Sequence, residues 1–213
     1  MLVHELWAFL RDSTPERRRR RYGDMEYDWE HRVNTTSGTV GWRERLLGVF
    51  HSPYQPTDAG LFQEMMAILP IDFREFTFVD LGSGKGRTLL MASEYLFRRI
   101  VGVEILPELH RAAEENIANY QSTTQQCTQV ESVCADASEF DLPEGPLLLY
   151  LFNPLPEAGL NRMLENLEES LREHPRTVYV LYQNLLLERV LTGSEVLRRS
   201  GEMDQYTVYT NTH

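Results

Sequence analysis

Asp80, Gly82, Gly84 and Gly86 recur at two-residue intervals in the stretch FTFVDLGSGKGR, residues 76–87. Glycine lets the backbone approach a ligand with no Cβ in the way and tolerates positive φ. Before the glycines, Phe76, Thr77, Phe78 and Val79 are aromatic or β-branched, the composition of a buried strand. After them Leu89, Leu90, Ala92, Ser93 and Leu96 fall at three- and four-residue spacings, which predicts a helix. A strand, a glycine turn and a helix make the first crossover of a nucleotide-binding α/β sheet, with the free N–H groups of the helix start aimed at the turn. The spacing narrows the ligand. A dinucleotide fingerprint reads G-x-G-x-x-G, and a phosphate loop needs Gly-Lys followed by Ser or Thr. Here Lys85 is followed by Gly86 and Arg87, so neither pattern is met.

Further polar residues stand where other strands should end. Arg99 to Val103 reads as a second strand closed by Glu104, 18 residues past Gly86. An acid about 20 residues on is where a ribose is held by its hydroxyls. Ile105 beside it could pack on a base. Gln129 to Ala135 reads as a third strand ended by Asp136, whose carboxylate could accept from an exocyclic amine. The run LLLYLF, residues 147–152, suits a central strand buried on both faces and ends in Asn153-Pro154-Leu155-Pro156. Upstream, HSPYQPTD (51–58) is held extended by two prolines and ends in candidate helix caps Thr57 and Asp58. A loop at that point can fold over the carboxyl edge of the strands and bring Tyr54 and Thr57 to a ligand.

The elements that must position these residues alternate β and α. Leu61, Phe62, Met65, Met66 and Leu69 predict a helix before the first strand, and Pro107 opens another, PELHRAAEENIANY. Pro156 opens an amphipathic helix with Leu160, Met163, Leu164, Leu167 and Leu171 on one side. A fifth strand at Thr177 to Tyr182, a helix through Leu185 to Leu191, and two short strands near Glu195 to Arg199 and Gln205 to Thr210 close the order. Residues 51–213 thus read as one ligand-binding domain. Residues 1–50 read as a helical and loop extension covering one edge of it. Its five consecutive arginines, Arg17 to Arg21, could grip phosphates, but acidic residues follow at once and nothing else builds a basic stripe. A solvated helix face is the preferred reading.

The 213 residues, 42% hydrophobic, suit one globular core, and no apolar run reaches membrane-spanning length. The N-terminus lacks the apolar core of a signal peptide. Cys127 and Cys134 form no metal-binding spacing and suit a reducing cytoplasm. A net charge of −11 repels nucleic acid and attracts basic partners.

The form Asp-x-Gly-x-Gly-x-Gly resembles motif I of the class I methyltransferases that use S-adenosylmethionine. The stretch from Tyr54 to about Leu160 is similar to their non-SET lysine methyltransferase branch. It offers Tyr54-Gln-Pro-Thr57, Asp80-Leu-Gly82-Ser83-Gly84, Gly102-Val-Glu104 and Phe152-Asn153-Pro154. The resemblance implies a Rossmann-like seven-stranded sheet with helices on both faces and an antiparallel C-terminal hairpin. It implies that Tyr54, Thr57, Asp80 and Gly82, in a turn completed by Ser83, Gly84 and Gly86, contact the methionine end of the cofactor. It further implies Arg87 at its carboxylate, Glu104 on the ribose, Ile105 and Asp136 at the adenine, and Asn153 beside the methyl group as the catalytic position. Pro154-Leu155-Pro156 departs from the aromatic pattern of that branch, and from the Asn-Pro-Pro-aromatic turn of enzymes that methylate a flipped base. The expected acceptor is a protein lysine or another amine, of a protein or small molecule rather than nucleic acid. An RNA methyltransferase and a cofactor-binding, non-catalytic partner subunit are the alternatives. No metal is expected.

Overall fold

The computed structural model describes residues 25–36, 56–152 and 155–212. Tyr54, Asn153 and the arginine run lie outside the described residues. A helical stretch, α1, covers 25–31. The order then runs α2 (Ala59–Ala67), β1 (Thr77–Leu81), α3 (Arg87–Ala92), β2 (Arg99–Glu104), α4 (Pro107–Asn119), β3 (Val130–Cys134) and β4 (Leu147–Phe152). It continues through α5 (Glu157–Glu173), β5 (Val178–Gln183), α6 (Glu188–Thr192), β6 (Arg198–Glu202) and β7 (Tyr206–Thr210).

Seven strands form one sheet in the order β3-β2-β1-β4-β5-β7-β6. β1 pairs in parallel with both β2 and β4, and β7 runs antiparallel to both β5 and β6. Strand order reverses between β1 and β4, the place where open α/β sheets bind ligands. The implied seven-stranded Rossmann-like sheet with its terminal hairpin is therefore present.

Period-two alternation sorts the core into two layers. Val79, Leu81, Leu149, Leu151 and Val180 point to one face, covered by Leu160, Met163, Leu164 and Leu167 of α5 and by Val190 and Leu191 of α6. Phe78, Ile100, Leu148, Tyr150 and Leu181 point to the other, covered by Phe62, Met65 and Met66 of α2 and by Leu89, Met91 and Ala92 of α3. All five residues of β1 are buried, as befits a strand covered on both sides.

One expectation shifts. The helix after the glycine turn stops at Ala92, so Leu96 lies beyond it and is 40% exposed. Ser93 ends it: its Oγ donates to the Leu90 carbonyl, and its own carbonyl accepts from Gln126 and Cys127. Asp58, not Thr57, caps α2, accepting from the Leu61 N–H at 2.9 Å. Edge strand β6 carries exposed Arg198 and Arg199, charges that discourage further pairing.

Candidate active site

The glycine turn is built as its spacing requires. Gly82, Gly84 and Gly86 take φ values of 87°, 54° and 81°, a region closed to most side chains. The N–H groups of Gly82 and Ser83 donate to the Val103 carbonyl at 2.8 and 3.1 Å, fastening the turn to the end of β2. Gly102 makes that approach possible, because a Cβ there would stand 2.5 Å from Leu89 Cδ1 and 2.6 Å from Ser83 Oγ.

Glu104 ends β2 with only 2% of its surface exposed. Its Oε2 accepts from the Gly84 N–H at 2.8 Å and its Oε1 from the Leu106 N–H at 2.9 Å. Burial pushes its pKa up, and those N–H groups partly pull it back. Asp80 is enclosed at the end of β1 and accepts from the Thr88 hydroxyl. Burial pushes the Asp80 carboxyl up to about 7, with the Thr88 bond opposing and nearby Glu104 adding to the rise. The Ala135 N–H donates to the Glu104 carbonyl at 3.1 Å, which sets the end of β3, and Asp136 with it, beside β2. Asp136 Oδ1 is held by the N–H and hydroxyl of Ser138, both at 2.8 Å. Ile105 is 45% exposed at the same edge. The fold thus brings Asp80, Gly82, Ser83, Gly84, Gly86, Glu104, Ile105 and Asp136 to the carboxyl ends of β1, β2 and β3.

Residues 79–147 match the family model described as a methyltransferase domain. That stretch carries a methyltransferase domain. The chain is similar to an RNA methyltransferase from Salinibacter ruber in complex with S-adenosyl-L-homocysteine, at 23% identity over 73% of this chain and 92% of that chain, with a TM-score of 0.49. It is similar to the pyocyanin biosynthetic protein PhzM at 19% identity, covering 71% of this chain and 54% of that one, with a TM-score of 0.52. A predicted N6-adenine-specific DNA methylase from Listeria monocytogenes is 13% identical over 73% of this chain and 51% of that one, also at 0.52. The chain spans about half the length of the last two, which establish the shared fold. No curated protein matches the sequence.

The residues present fit the cofactor of such an enzyme. Each Glu104 oxygen has used one acceptor site and keeps another for a hydroxyl. Gly82 is exposed in an otherwise buried turn, and Ser83 Oγ is buried without a hydrogen-bond partner among the described residues.

Arg87, which the resemblance puts at the cofactor's carboxylate, is held by residues 25–36. Its Nε donates to Thr35 Oγ1 at 2.7 Å and its Nη2 to Thr36 Oγ1 at 3.1 Å. Nη2 also lies 3.3 Å from Asp28 Oδ1, and the guanidinium sits 4.6 Å from the Tyr27 ring centroid. Asn116 of α4 bonds both Asn34 and the Lys85 carbonyl, so residues 25–36 are clamped to the flank of the glycine turn. Burial lowers the pKa of Lys85, and nearby Asp28 opposes that.

Thr57 is buried, its hydroxyl 2.6 Å from that of Tyr150 on β4, and Tyr150 bonds Gln183 at the end of β5. Neither Tyr150 nor Gln183 is marked by any motif in the sequence. A phenol inside LLLYLF and an amide closing VYVLYQ were the available signals. Next to Gln183, Asn184 takes a φ of 61°, an uncommon value for a residue other than glycine.

Proposed function

We propose that this protein is an S-adenosylmethionine-dependent methyltransferase that holds its cofactor across the carboxyl ends of β1, β2 and β3 and methylates an amine of a protein or small molecule, a lysine side chain being the type of acceptor. Glu104 carries the cofactor reading. Two backbone N–H groups fix its carboxylate, so its remaining lone pairs are pre-set for the two hydroxyls of a ribose. Ile105 would lie against the adenine, and Asp136, held through one oxygen by Ser138, would take the exocyclic amine on the other. Asp80, Gly82, Thr57 and Tyr54 would serve the amino-acid end, in the turn completed by Ser83, Gly84 and Gly86.

S-adenosylmethionine supplies a methyl group already activated on a sulfonium. The protein's task is to align the acceptor, and orientation of this kind contributes ~7–11 kcal/mol to a transfer. In this reading Asn153 is the aligning residue: it follows β4 directly, and Pro154 restricts its backbone. A neutral amide can accept from an incoming amine without bringing charge to the donor. The net charge of −11 supports a basic acceptor over a nucleic acid. Among the described residues no helix is long and apolar enough to cross a membrane, and both cysteines are free thiols. A reducing cytoplasm suits them.

Titration calorimetry on Glu104→Ala tests the cofactor site. Affinities for S-adenosylmethionine and S-adenosylhomocysteine should fall by similar factors of at least about tenfold, since both carry the ribose. Unchanged affinity removes Glu104 from the site. Incubating the protein with methyl-labelled cofactor and fractionated cell extract tests the acceptor. Label in protein or small amines supports the reading, and label in RNA overturns it.

A further inference from the structure

Tyr150 is a polar residue in the most apolar strand of the sheet, and it is 1% exposed. Its ring is fixed between two others, edge-on to Phe62 and stacked on Phe78, each at 6.2 Å. Its hydroxyl is shared between Thr57 Oγ1 and Gln183 Oε1. Thr57 is 3% and Gln183 7% exposed, so the three side chains form an enclosed chain across the sheet, from the loop before α2, over β4, to the last residue of β5.

The chain has a direction. A carboxamide oxygen only accepts, so Tyr150 spends its single proton on Gln183. The contact between Thr57 and Tyr150 must then be made by the Thr57 proton. Thr57 Oγ1 is left with lone pairs and no proton to offer. A ligand group meeting it must be a donor.

Position says which end of the cofactor that is. Glu104, Ile105 and Asp136 gather at the ends of β2 and β3. Tyr150 lies directly across from Asp80 in the register of β4 with β1, on the other side of the glycine turn. A ligand with its nucleoside over β2 and β3 therefore extends its amino-acid end over β1 and β4, toward Asp80 and Thr57.

We propose that Tyr150 and Gln183 are positioning residues that polarise Thr57 as a pure acceptor for the α-ammonium group of the bound cofactor. This rests on the cofactor reading above. It assigns Thr57 to the ammonium rather than the carboxylate, and it gives β4 and β5 a part in cofactor binding through side chains that need not touch the cofactor.

Three ligands separate this role from a structural one: S-adenosylmethionine, S-adenosylhomocysteine and 5′-methylthioadenosine, which lacks the amino-acid end. In Tyr150→Phe the ring stays packed and only the hydroxyl is lost. Calorimetric affinity for the first two ligands should fall about tenfold, and that for methylthioadenosine less than twofold. Thr57→Val should repeat the pattern if Tyr150→Phe does not fold, and Thr57→Ser should restore wild-type affinities. An equal loss for all three ligands means a structural role and overturns the proposal, as does unchanged affinity in both variants. Wild-type protein that binds none of the three overturns the cofactor reading itself, and this proposal with it.

Discussion

The clamp between Arg87 and Asp28 should behave as a coupled unit whose two halves are unequal. Arg87 is the first residue of α3, its side chain 3% exposed, while that of Asp28 is 14% exposed. Removing one member of a buried ion pair costs roughly 3–5 kcal/mol because the other charge is stranded. Arg87→Met keeps the apolar stem and deletes the guanidinium. Asp28 would still accept from the N–H groups of Thr35 and Thr36 at 2.9 and 2.7 Å and from the Thr35 hydroxyl. This substitution should fall at the low end, about 3 kcal/mol. Asp28→Ala removes the carboxylate beside the guanidinium and the acceptor of two backbone N–H groups, each worth about 1–3 kcal/mol when left unsatisfied. It should therefore cost more than Arg87→Met. The double variant removes both members of the pair, and its cost should be below the sum of the singles by about 2 kcal/mol. Urea denaturation of the four proteins measures all these terms. Single-variant costs that add to within about 0.5 kcal/mol would refute the clamp as a coupled device. Acid should release it in the same way. Burial raises the pKa of Asp28, but hydrogen bonds from Thr35 and Thr36 outweigh it and hold the group below its ordinary value. Its contribution is complete above about pH 4 and is lost as pH falls through the lowered folded value.

Asp80→Asn should raise the melting temperature of the ligand-free protein more at pH 8 than at pH 4, while weakening S-adenosylmethionine binding. The sign follows from burial: the folded pKa, pushed up to about 7, lies above that of the unfolded chain. Ionisation therefore erodes stability as pH climbs from about 4 through 7, and an amide does not ionise. A melting-temperature gain independent of pH would exclude Asp80 as the titrating group. Asn153→Ala should cut turnover on the true acceptor at least about tenfold, with cofactor affinity and melting temperature little changed. Wild-type turnover in that variant removes Asn153 from the catalytic role.

The sequence by itself determined the parts whose causes are local. A β-branched and aromatic run can only be comfortable as strand, glycines at alternate positions mark a turn with positive φ, and an acid that closes a strand stands at its carboxyl edge. Hence β1, the turn at Gly82 to Gly86, Glu104 and Asp136 were legible from spacing, and the order of elements predicted the sheet. Side-chain destinations were not. The family resemblance puts Arg87 at the cofactor's carboxylate, and nothing in the local sequence shows that its side chain meets Asp28, Thr35 and Thr36, which lie 59, 52 and 51 positions away. Thr57 and Asp58 are both candidate caps in the sequence; Asp58 takes that role, and the Thr57 hydroxyl meets Tyr150, 93 positions on. The end of α3 is likewise set from a distance, since the carbonyl of Ser93 is claimed by residues 126 and 127. Backbone conformation follows from each residue's own sterics and its near neighbours. A buried polar group takes whichever complementary group the packing of distant segments brings to it, because it cannot remain unsatisfied away from water. Only the tertiary structure decides that pairing.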